Sequence, residues 1–244
     1  MNLSRMILSL LVTGLLSAAS AETQRIERHG TIFHTYVTKP DRISLFWRDP
    51  SGKPFHQFST LQKFLVGQHK RIRFMMNGGI FEEGGIPSGL LVIDGETLNP
   101  LNTSPGQGNF FLQPNGVFYI DDHGAAHVVA TSDYARAHPK SRLAIQSGPL
   151  LLRDGKTHPA FRAASTSYLH RNGVGILPDG RVLFAITEFG QSRYANLFEF
   201  ADFFRSQGCR DALFLDGDIS QMKIDPIDPL TPNNYFGTIF AVTD

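Results

Sequence analysis

Four short polar clusters interrupt apolar segments of this 244-residue chain, and each could bind an anion or move a proton. Adjacent glycines can turn backbone N–H groups towards an anion, and an arginine guanidinium offers a planar pair of donors to a phosphate or carboxylate. One such cluster is usually a turn whose polar residue is satisfied locally, but four together favour a ligand site. The clusters are Asn77-Gly78-Gly79, Gln146-Ser147-Gly148, Arg171-Asn172-Gly173 and Asp216-Gly217 with the nearby Ser220.

Two carboxylates lie where apolar strands are predicted to end. Asp216 follows the run 212–215, and Glu188 follows the run 184–187. A carboxylate at the end of a buried strand is partly desolvated, so we expect it either to accept hydrogen bonds from turn amides or to take part in chemistry. Asp216 is the first candidate, with capping of its own turn as the alternative. Glu188 is the second, with a solvated strand end as the alternative.

The local signatures of several other chemistries are absent from the sequence. It has no Walker A loop, dinucleotide fingerprint, HExxH motif or GxSxG motif. The segment 216–220 begins like a calcium loop, but Gln221 stands where glycine is required and Ile227 where the bidentate glutamate belongs. His123 and His127 have a spacing that suits a metal, yet they flank a glycine in a predicted turn. We therefore predict no cofactor and no metal.

Residues 1–21 have the features of a secretory signal peptide. Arg5 is their only charge, residues 6–16 form an apolar run, and the small residues 19–21 precede Glu22 like a cleavage site. A membrane anchor would need roughly 17 to 20 apolar residues. The sequence therefore predicts a signal peptide over 1–21, a mature domain over 22–244, and a periplasmic or secreted protein without stable membrane insertion.

Charge and cysteine content exclude further classes. Removing Arg5 with the signal peptide leaves 22 basic against 22 acidic groups, so a nucleic-acid partner is not expected. The single cysteine, Cys209, cannot form an internal disulfide, and we expect it to be a small buried residue rather than a nucleophile. A hydrophobic fraction of 41% excludes a disordered chain. The sequence makes no prediction of oligomeric state.

Two helices are predicted from capping signals and helical spacing. Residues 59–62 have capping-box spacing before an apolar pattern that ends at Gly67. Asn196 and Glu199 give the same signal before a stripe of apolar residues that ends at Gly208. Both helices are expected to face a core.

Most of the remaining chain is predicted to form short strands joined by tight turns. Continuous apolar runs over 71–76 and 212–216 are expected to be buried central strands. The fold class is α+β: one domain with a large, mainly antiparallel or mixed sheet, two principal helices, and polar loops gathered at one end. Further strands are predicted over 90–94, 117–120, 150–152 and 182–186, bounded by the hairpin-competent pairs Asp94-Gly95, Asn115-Gly116, Asp154-Gly155 and Asp179-Gly180.

Five motifs follow one another along the chain: NGGIF at 77–81, GNFFLQPNGVF at 108–118, QSGPLLL at 146–152, RNGVG at 171–175 and ALFLDGDIS at 212–220. In order, they resemble those of the phosphodiester glycosidase family, whose domain is shared with the mammalian mannose-6-phosphate uncovering enzyme. The resemblance extends from about residue 71 to residue 243. It implies an exported or lumenal hydrolase that cleaves the bond between a sugar anomeric carbon and a phosphodiester.

The resemblance implies a catalytic or substrate-binding role for each of the polar clusters. Asp216 and Glu188 would be the carboxylates of glycosyl transfer to water, and Gly217 would let the chain approach the ligand closely. Arg171 and the amides of Gly78, Gly79 and Gly148 would hold the phosphodiester charge. Sugar hydroxyls or phosphate oxygens would be oriented by Asn77, Ser147, Asn172 and Ser220.

The chain departs from the family pattern beside the first carboxylate. The pattern LDGGGS is LDGDIS here, which adds Asp218, and Arg-Thr is replaced by Arg171-Asn172. An added negative charge could repel an anionic substrate next to Asp216. The alternative is therefore a periplasmic glycan-binding or assembly factor that uses the same loops without hydrolysis.

Overall fold

The computed structural model describes residues 22–226 and 234–244. The predicted signal peptide lies outside the described residues. No helix within these two ranges is long and apolar enough to cross a membrane. The helices in the described chain are α1 Phe58–Gly67, α2 Thr131–Ala137 and α3 Leu197–Ser206, with short 3-10 helices at Pro40–Arg42, Glu83–Gly85 and Asn109–Phe111.

Most of the described chain is β-structure. The strands are β1 Glu22–Arg28, β2 Thr31–Thr38, β3 Ile43–Phe46, β4 Ile72–Asn77, β5 Phe81–Glu82, β6 Ile86–Pro87, β7 Leu91–Ile93, β8 Glu96–Asn99, β9 Gly116–Asp121, β10 Ala126–Ala130, β11 Ser141–Ser147, β12 Leu150–Arg153, β13 Lys156–Thr157, β14 Asn172–Ile176, β15 Val182–Thr187, β16 Asp211–Asp216, β17 Met222–Ile224 and β18 Ile239–Thr243.

The strands are divided among several antiparallel sheets. A seven-stranded sheet has the order β1-β2-β15-β14-β16-β12-β13, a five-stranded sheet the order β10-β9-β11-β7-β8, and a four-stranded sheet the order β17-β4-β18-β3. β5 and β6 form a separate pair. The predicted single-domain α+β fold is confirmed, and β4 and β16 are internal strands as expected. The division of the β-structure into sheets is new, because apolar alternation does not specify which strands become neighbours.

One apolar core joins the three larger sheets. Phe184 of the seven-stranded sheet has its ring centroid 6.3 Å from that of Phe118 in the five-stranded sheet. The same ring lies 5.0 Å from Phe74 and 5.1 Å from Phe240, both in the four-stranded sheet. Buried aromatic rings contribute large apolar areas, so this cluster fixes how the sheets pack and therefore where their strand ends meet.

Helix α3 covers the opposite face of the seven-stranded sheet. Its N-terminus is the predicted capping box: the Asn196 side chain accepts a hydrogen bond from the Glu199 N–H, and the Glu199 carboxylate accepts one from the Asn196 N–H. The helix packs Phe200, Phe203 and Phe204 into the core on this face. Cys209 is buried in the same cluster, and burial raises the pKa of its thiol to about 12.

Helix α1 forms, but it begins earlier than the capping signal at 59–62 predicts. Its first residue is Phe58, Gln57 is the N-cap, and no side chain caps this end. Phe58 is buried, with its ring 5.2 Å from that of Phe236. The predicted capping box is therefore wrong, because burial of an aromatic ring at the helix start outweighs a capping bond of about 1 kcal/mol.

Three of the four predicted turn pairs connect antiparallel strands. Asp94 and Asp154 have φ of 50° and 52° and precede a glycine with positive φ, as a type I′ hairpin requires. Gly180 lies between β14 and β15, which pair. The hairpin predicted at Asn115-Gly116 is wrong: Gly116 is the first residue of β9, and Asn115 Nδ2 donates to the Phe110 carbonyl instead.

Candidate active site

Three strand ends bring together Asn77, Asn172 and Asp216. Asn172 is paired with Asp216 between β14 and β16, while Asn77 is the last residue of β4 in the four-stranded sheet. Asn77 Nδ2 donates to Asp216 Oδ2 at 2.9 Å, and Asn172 Nδ2 donates to Asn77 Oδ1 at 2.9 Å. A continuous hydrogen-bonded path therefore crosses from one sheet to the other.

The Asp216 carboxyl is buried, with 9% of the residue exposed. Oδ2 accepts from Asn77, and Oδ1 accepts from the Gly217 N–H at 2.8 Å. The pKa of Asp216 is raised to about 7: removal from water is the largest cause, the negative charge of Asp218 adds to it, and the two hydrogen bonds act in the opposite direction. A carboxyl that titrates near neutral pH suits general acid–base chemistry.

The orientation of the Asn77 amide is fixed by its other partners. Its Oδ1 accepts from Asn172 and from the Gln221 N–H at 2.8 Å. Because both partners are donors, the oxygen must face them and the amide nitrogen must face Asp216. The carboxyl is therefore held by a donor that cannot rotate away.

His170 holds the turn that follows Asp216. Its Nε2 lies 3.0 Å from the Ser220 carbonyl, so this nitrogen carries the proton, and Thr187 Oγ1 donates to Nδ1 at 2.8 Å. Burial lowers the pKa of His170, which keeps the ring neutral at pH 7. Ser220 N–H closes the turn on the Gly217 carbonyl at 2.8 Å. The sequence did not single out His170, and its place directly before Arg171 is the only signal that could have found it.

Arg171 is a buried cation without a carboxylate partner among the described residues. Only 1% of the residue is exposed, and burial lowers its pKa to about 10, so it stays protonated at neutral pH. Nε donates to the Ala195 carbonyl and Nη2 to the Ser167 carbonyl, each at 3.1 Å, while Nη1 has no partner in the described chain. A buried charge without a counter-ion is costly, so an anion nearby would be stabilised by it.

The glycines after β4 allow close packing. A Cβ on Gly78 would lie 2.1 Å from Thr238 Oγ1, and one on Gly79 would lie 3.0 Å from the Gln146 carbonyl. The Gly78 N–H donates to the Thr238 carbonyl at 2.9 Å, so this amide is occupied. Gly78 thus allows two segments of the chain to pack closely, and its N–H is not free to bind an anion.

Ser147 ties β11 to the strand that carries Asp216, since its Oγ donates to the Leu215 carbonyl at 2.9 Å. Gly148 packs elsewhere: a Cβ there would lie 2.6 Å from the Asn115 Cβ. Ser147 therefore belongs to the site's supporting shell of hydrogen bonds, and Gly148 shapes the neighbouring loop.

Glu188 does not join this network. Its carboxylate accepts from Arg25 Nε at 3.0 Å and lies 2.9 Å from His34 Nε2. The hydrogen bond from Arg25 lowers the pKa of Glu188, with a further contribution from His34. Glu188 is thus an ionised group tied to β1 and β2, with no hydrogen bond to Asp216 or its partners.

Several buried polar atoms in the segments that meet near Asp216 have no hydrogen-bond partner among the described residues. Six buried side-chain polar atoms lack a hydrogen-bond partner within the described ranges, and four of them lie on the segments that meet there. Buried polar groups are normally paired, so these are the groups that a polar ligand would satisfy. The four are Arg171 Nη1, Asn172 Oδ1, Ser220 Oγ and Thr238 Oγ1. The described residues contain no group of three or more potential metal ligands.

The chain was compared with protein families and with known proteins. The phosphodiester glycosidase family model matches residues 70–226. The uncharacterized protein YigE of Escherichia coli (strain K12) is 30% identical over 227 residues, which is 91% of this chain and 85% of that protein.

Two solved structures share the fold. The catalytic domain of zebrafish N-acetylglucosamine-1-phosphodiester alpha-N-acetylglucosaminidase, auto-inhibited by its pro-peptide, has a TM-score of 0.64 at 17% identity, over 91% of this chain and 82% of its own. A hypothetical protein from Synechocystis has a TM-score of 0.58 at 12% identity, over 91% of this chain and 61% of its own.

The family match covers more than half of the chain and includes Asn77, Asn172 and Asp216. The resemblance inferred from the five motifs is confirmed. The chain belongs to the phosphodiester glycosidase family.

Proposed function

We propose that the protein is an exported hydrolase that cleaves a sugar-1-phosphodiester in an envelope or extracellular glycan. One observation carries this proposal: a buried carboxyl that titrates near pH 7, Asp216, ends a strand directly beside the strand that begins after the buried cation Arg171. Membership of the phosphodiester glycosidase family supports the reaction class.

Asp216 acts on the sugar side of the scissile bond. Phosphate is a good leaving group, so departure needs little acid catalysis, and the demand falls on a base or nucleophile at the anomeric carbon. With a pKa of about 7, a large fraction of the Asp216 carboxylate is ionised at neutral pH. As a base it removes a proton from the attacking water, while Asn77 and Gly217 hold the carboxyl in place.

Arg171 and the unpartnered atoms bind the substrate. The positive charge of Arg171 stabilises the phosphodiester and the negative charge that builds on the leaving phosphate. Asn172 Oδ1 accepts a hydrogen bond from a sugar hydroxyl, and the hydroxyls of Ser220 and Thr238 can donate or accept. This combination of one cationic donor, one acceptor and two hydroxyls fits a ligand with phosphate oxygens and sugar hydroxyls.

Glu188 is a second candidate carboxylate, as glycosyl transfer to water commonly uses two. Its bonds to Arg25 and His34 would have to break before it could reach a substrate. The proposal therefore rests on Asp216.

Export is supported by the sequence before Glu22. The apolar run 6–16 and the small residues 19–21 predict cleavage before Glu22. N-terminal sequencing of protein recovered from outside the cytoplasm should begin at Glu22, and recovery of a chain that still begins at Met1 would contradict export with cleavage.

The reaction can be tested by following oxygen from isotopically labelled water. Residues 22–244 are incubated with a p-nitrophenyl or UDP-linked sugar-1-phosphodiester in ¹⁸O-water, with Asp216→Asn as the matched control. Attack at the anomeric carbon leaves the phosphate product without label, whereas attack at phosphorus would incorporate it and contradict the proposal. Binding of the diester without turnover would favour the glycan-binding alternative, which the added charge of Asp218 keeps open.

A further inference from the structure

Asp218 is an exposed carboxylate on the turn that follows Asp216. The turn is closed by the hydrogen bond from Ser220 N–H to the Gly217 carbonyl. Asp218 lies at its tip, and within the described ranges no side-chain hydrogen bond or ion pair engages its carboxylate. Because His170 Nε2 holds the Ser220 carbonyl, the position of this turn is fixed relative to β14.

Asp218 lies two residues before Ser220, whose carbonyl accepts a hydrogen bond from His170, so its charge acts on His170 and on the neighbouring Arg171. Burial lowers the pKa of both His170 and Arg171, and the negative charge of Asp218 partly offsets that fall in each. Arg171 is buried whereas Asp218 is exposed. The site therefore combines a buried positive charge with an exposed negative one.

One exposed and one half-buried aromatic ring lie beside the same histidine. The Phe189 ring is 5.7 Å from the His170 ring, and 46% of Phe189 is exposed. Tyr194 lies 5.6 Å from His170 on another side. Two residues before His170, Tyr168 is 38% exposed, and the Arg193 guanidinium lies 4.7 Å from its ring centroid. The face of the Tyr168 ring thus already holds a cation.

We propose that Asp218 and Phe189 form a subsite for an ammonium group on the alcohol side of the phosphodiester, so that the preferred substrate is zwitterionic. The inference rests on the proposed function and names its substrate class. The phosphate faces Arg171 and the ammonium group faces Asp218, which matches the two opposite charges of the site. The negative face of an aromatic ring attracts alkylammonium groups. Asp218 also repels a second negative charge and so disfavours acidic alcohols.

The test compares two sugar-1-phosphodiesters that differ only in the alcohol: a 2-aminoethyl ester and a propyl ester of similar shape. We expect the intact mature protein to prefer the aminoethyl ester by about tenfold in kcat/KM at low salt. The preference should vanish in Asp218→Asn and weaken in Phe189→Leu, which keeps an apolar side chain without a ring. Asp122→Asn removes an equal charge from the turn between β9 and β10 and should retain the preference.

Each outcome decides the inference. Equal kcat/KM for both esters, or a preference that survives Asp218→Asn, overturns the subsite while leaving the proposed hydrolase intact. If neither ester is hydrolysed, the proposed function fails, and calorimetric titration with the same two esters judges the subsite separately. The subsite is supported if the aminoethyl ester binds more tightly than the propyl ester and Asp218→Asn abolishes this difference. It is overturned if the two esters bind equally well.

Discussion

Asn77 donates a hydrogen bond to Asp216 across 139 residues of sequence, from a strand of one sheet to a strand of another. The carboxyl site therefore forms only when the four-stranded and seven-stranded sheets have packed together. Because one side-chain hydrogen bond joins Asn77 to the carboxyl, a substitution at Asn77 tests how its partner sets the chemistry of Asp216.

Asn77→Asp should raise the pH at which the enzyme becomes active. The substitution replaces an amide donor with a second carboxylate, whose charge disfavours ionisation of Asp216. We expect the ascending limb of kcat/KM against pH, which lies near pH 7 in the wild type, to move up by at least about one unit. Asn109→Asp adds the same charge at an exposed position and should leave the limb unchanged. An unshifted limb in Asn77→Asp would show that Asp216 does not set it.

The burial of Asp216 should also make stability depend on pH. The folded carboxyl titrates near pH 7 and the unfolded one near about pH 4, so the folded state binds the proton more tightly. The stabilisation is fully present below about pH 4 and is lost as pH rises through 7. The free energy of unfolding of Asp216→Asn, relative to wild type, should therefore rise between pH 4 and pH 8, by up to about 4 kcal/mol. Urea unfolding at both pH values measures this, and a pH-independent difference would contradict it.

Arg171→Met should weaken phosphodiester binding while the protein remains folded. Methionine fills similar space without a charge, and replacing an unpaired buried charge by an apolar side chain is often tolerated. Calorimetric titration should show an affinity loss of about 1.5 to 3 kcal/mol, the value of a hydrogen bond to a charged group. Binding of an uncharged glycoside of the same sugar is the control and should not change. Unchanged diester affinity in the folded variant would remove Arg171 from the site.

Glu188→Gln should have little effect on turnover. The carboxylate is held by Arg25 and His34 at the surface, and it has no hydrogen bond to Asp216 or to the residues that hold Asp216. We expect kcat within about twofold of wild type, against the hundredfold or larger loss of a general acid–base group. A loss of that size, with the melting temperature retained, would make Glu188 the second catalytic carboxylate.

Sequence patterns predicted the elements that carry the site. The continuous apolar runs of β4 and β16 indicated buried strands, and the polar residues that end them, Asn77 and Asp216, are hydrogen-bonded to each other. Asn172 was singled out differently, as part of a polar cluster with Arg171 that precedes a predicted strand. A polar residue at the end of an apolar run can be recognised from sequence alone. Such a residue is partly removed from water, so it needs hydrogen-bond partners in the folded protein.

Contacts between distant segments could not be predicted. His170 acts through Thr187 and Ser220, neither of which is near it in sequence. Arg171 carries a guanidinium that suggests an open donor fork, yet folding buries it and uses Nε and Nη2 for backbone carbonyls. The sequence shows which functional groups are present. The burial of each side chain and its hydrogen-bond partners depend on which sheets pack together.

The most direct test of the central claim measures kcat and melting temperature on one preparation of Asp216→Asn. Asparagine keeps the shape and one acceptor oxygen but cannot take up a proton from water. The account predicts that hydrolysis of a sugar-1-phosphodiester falls at least about a hundredfold while the melting curve shows that the variant remains folded. Near-normal turnover would contradict it and would leave Asp216 as a cap of its own turn.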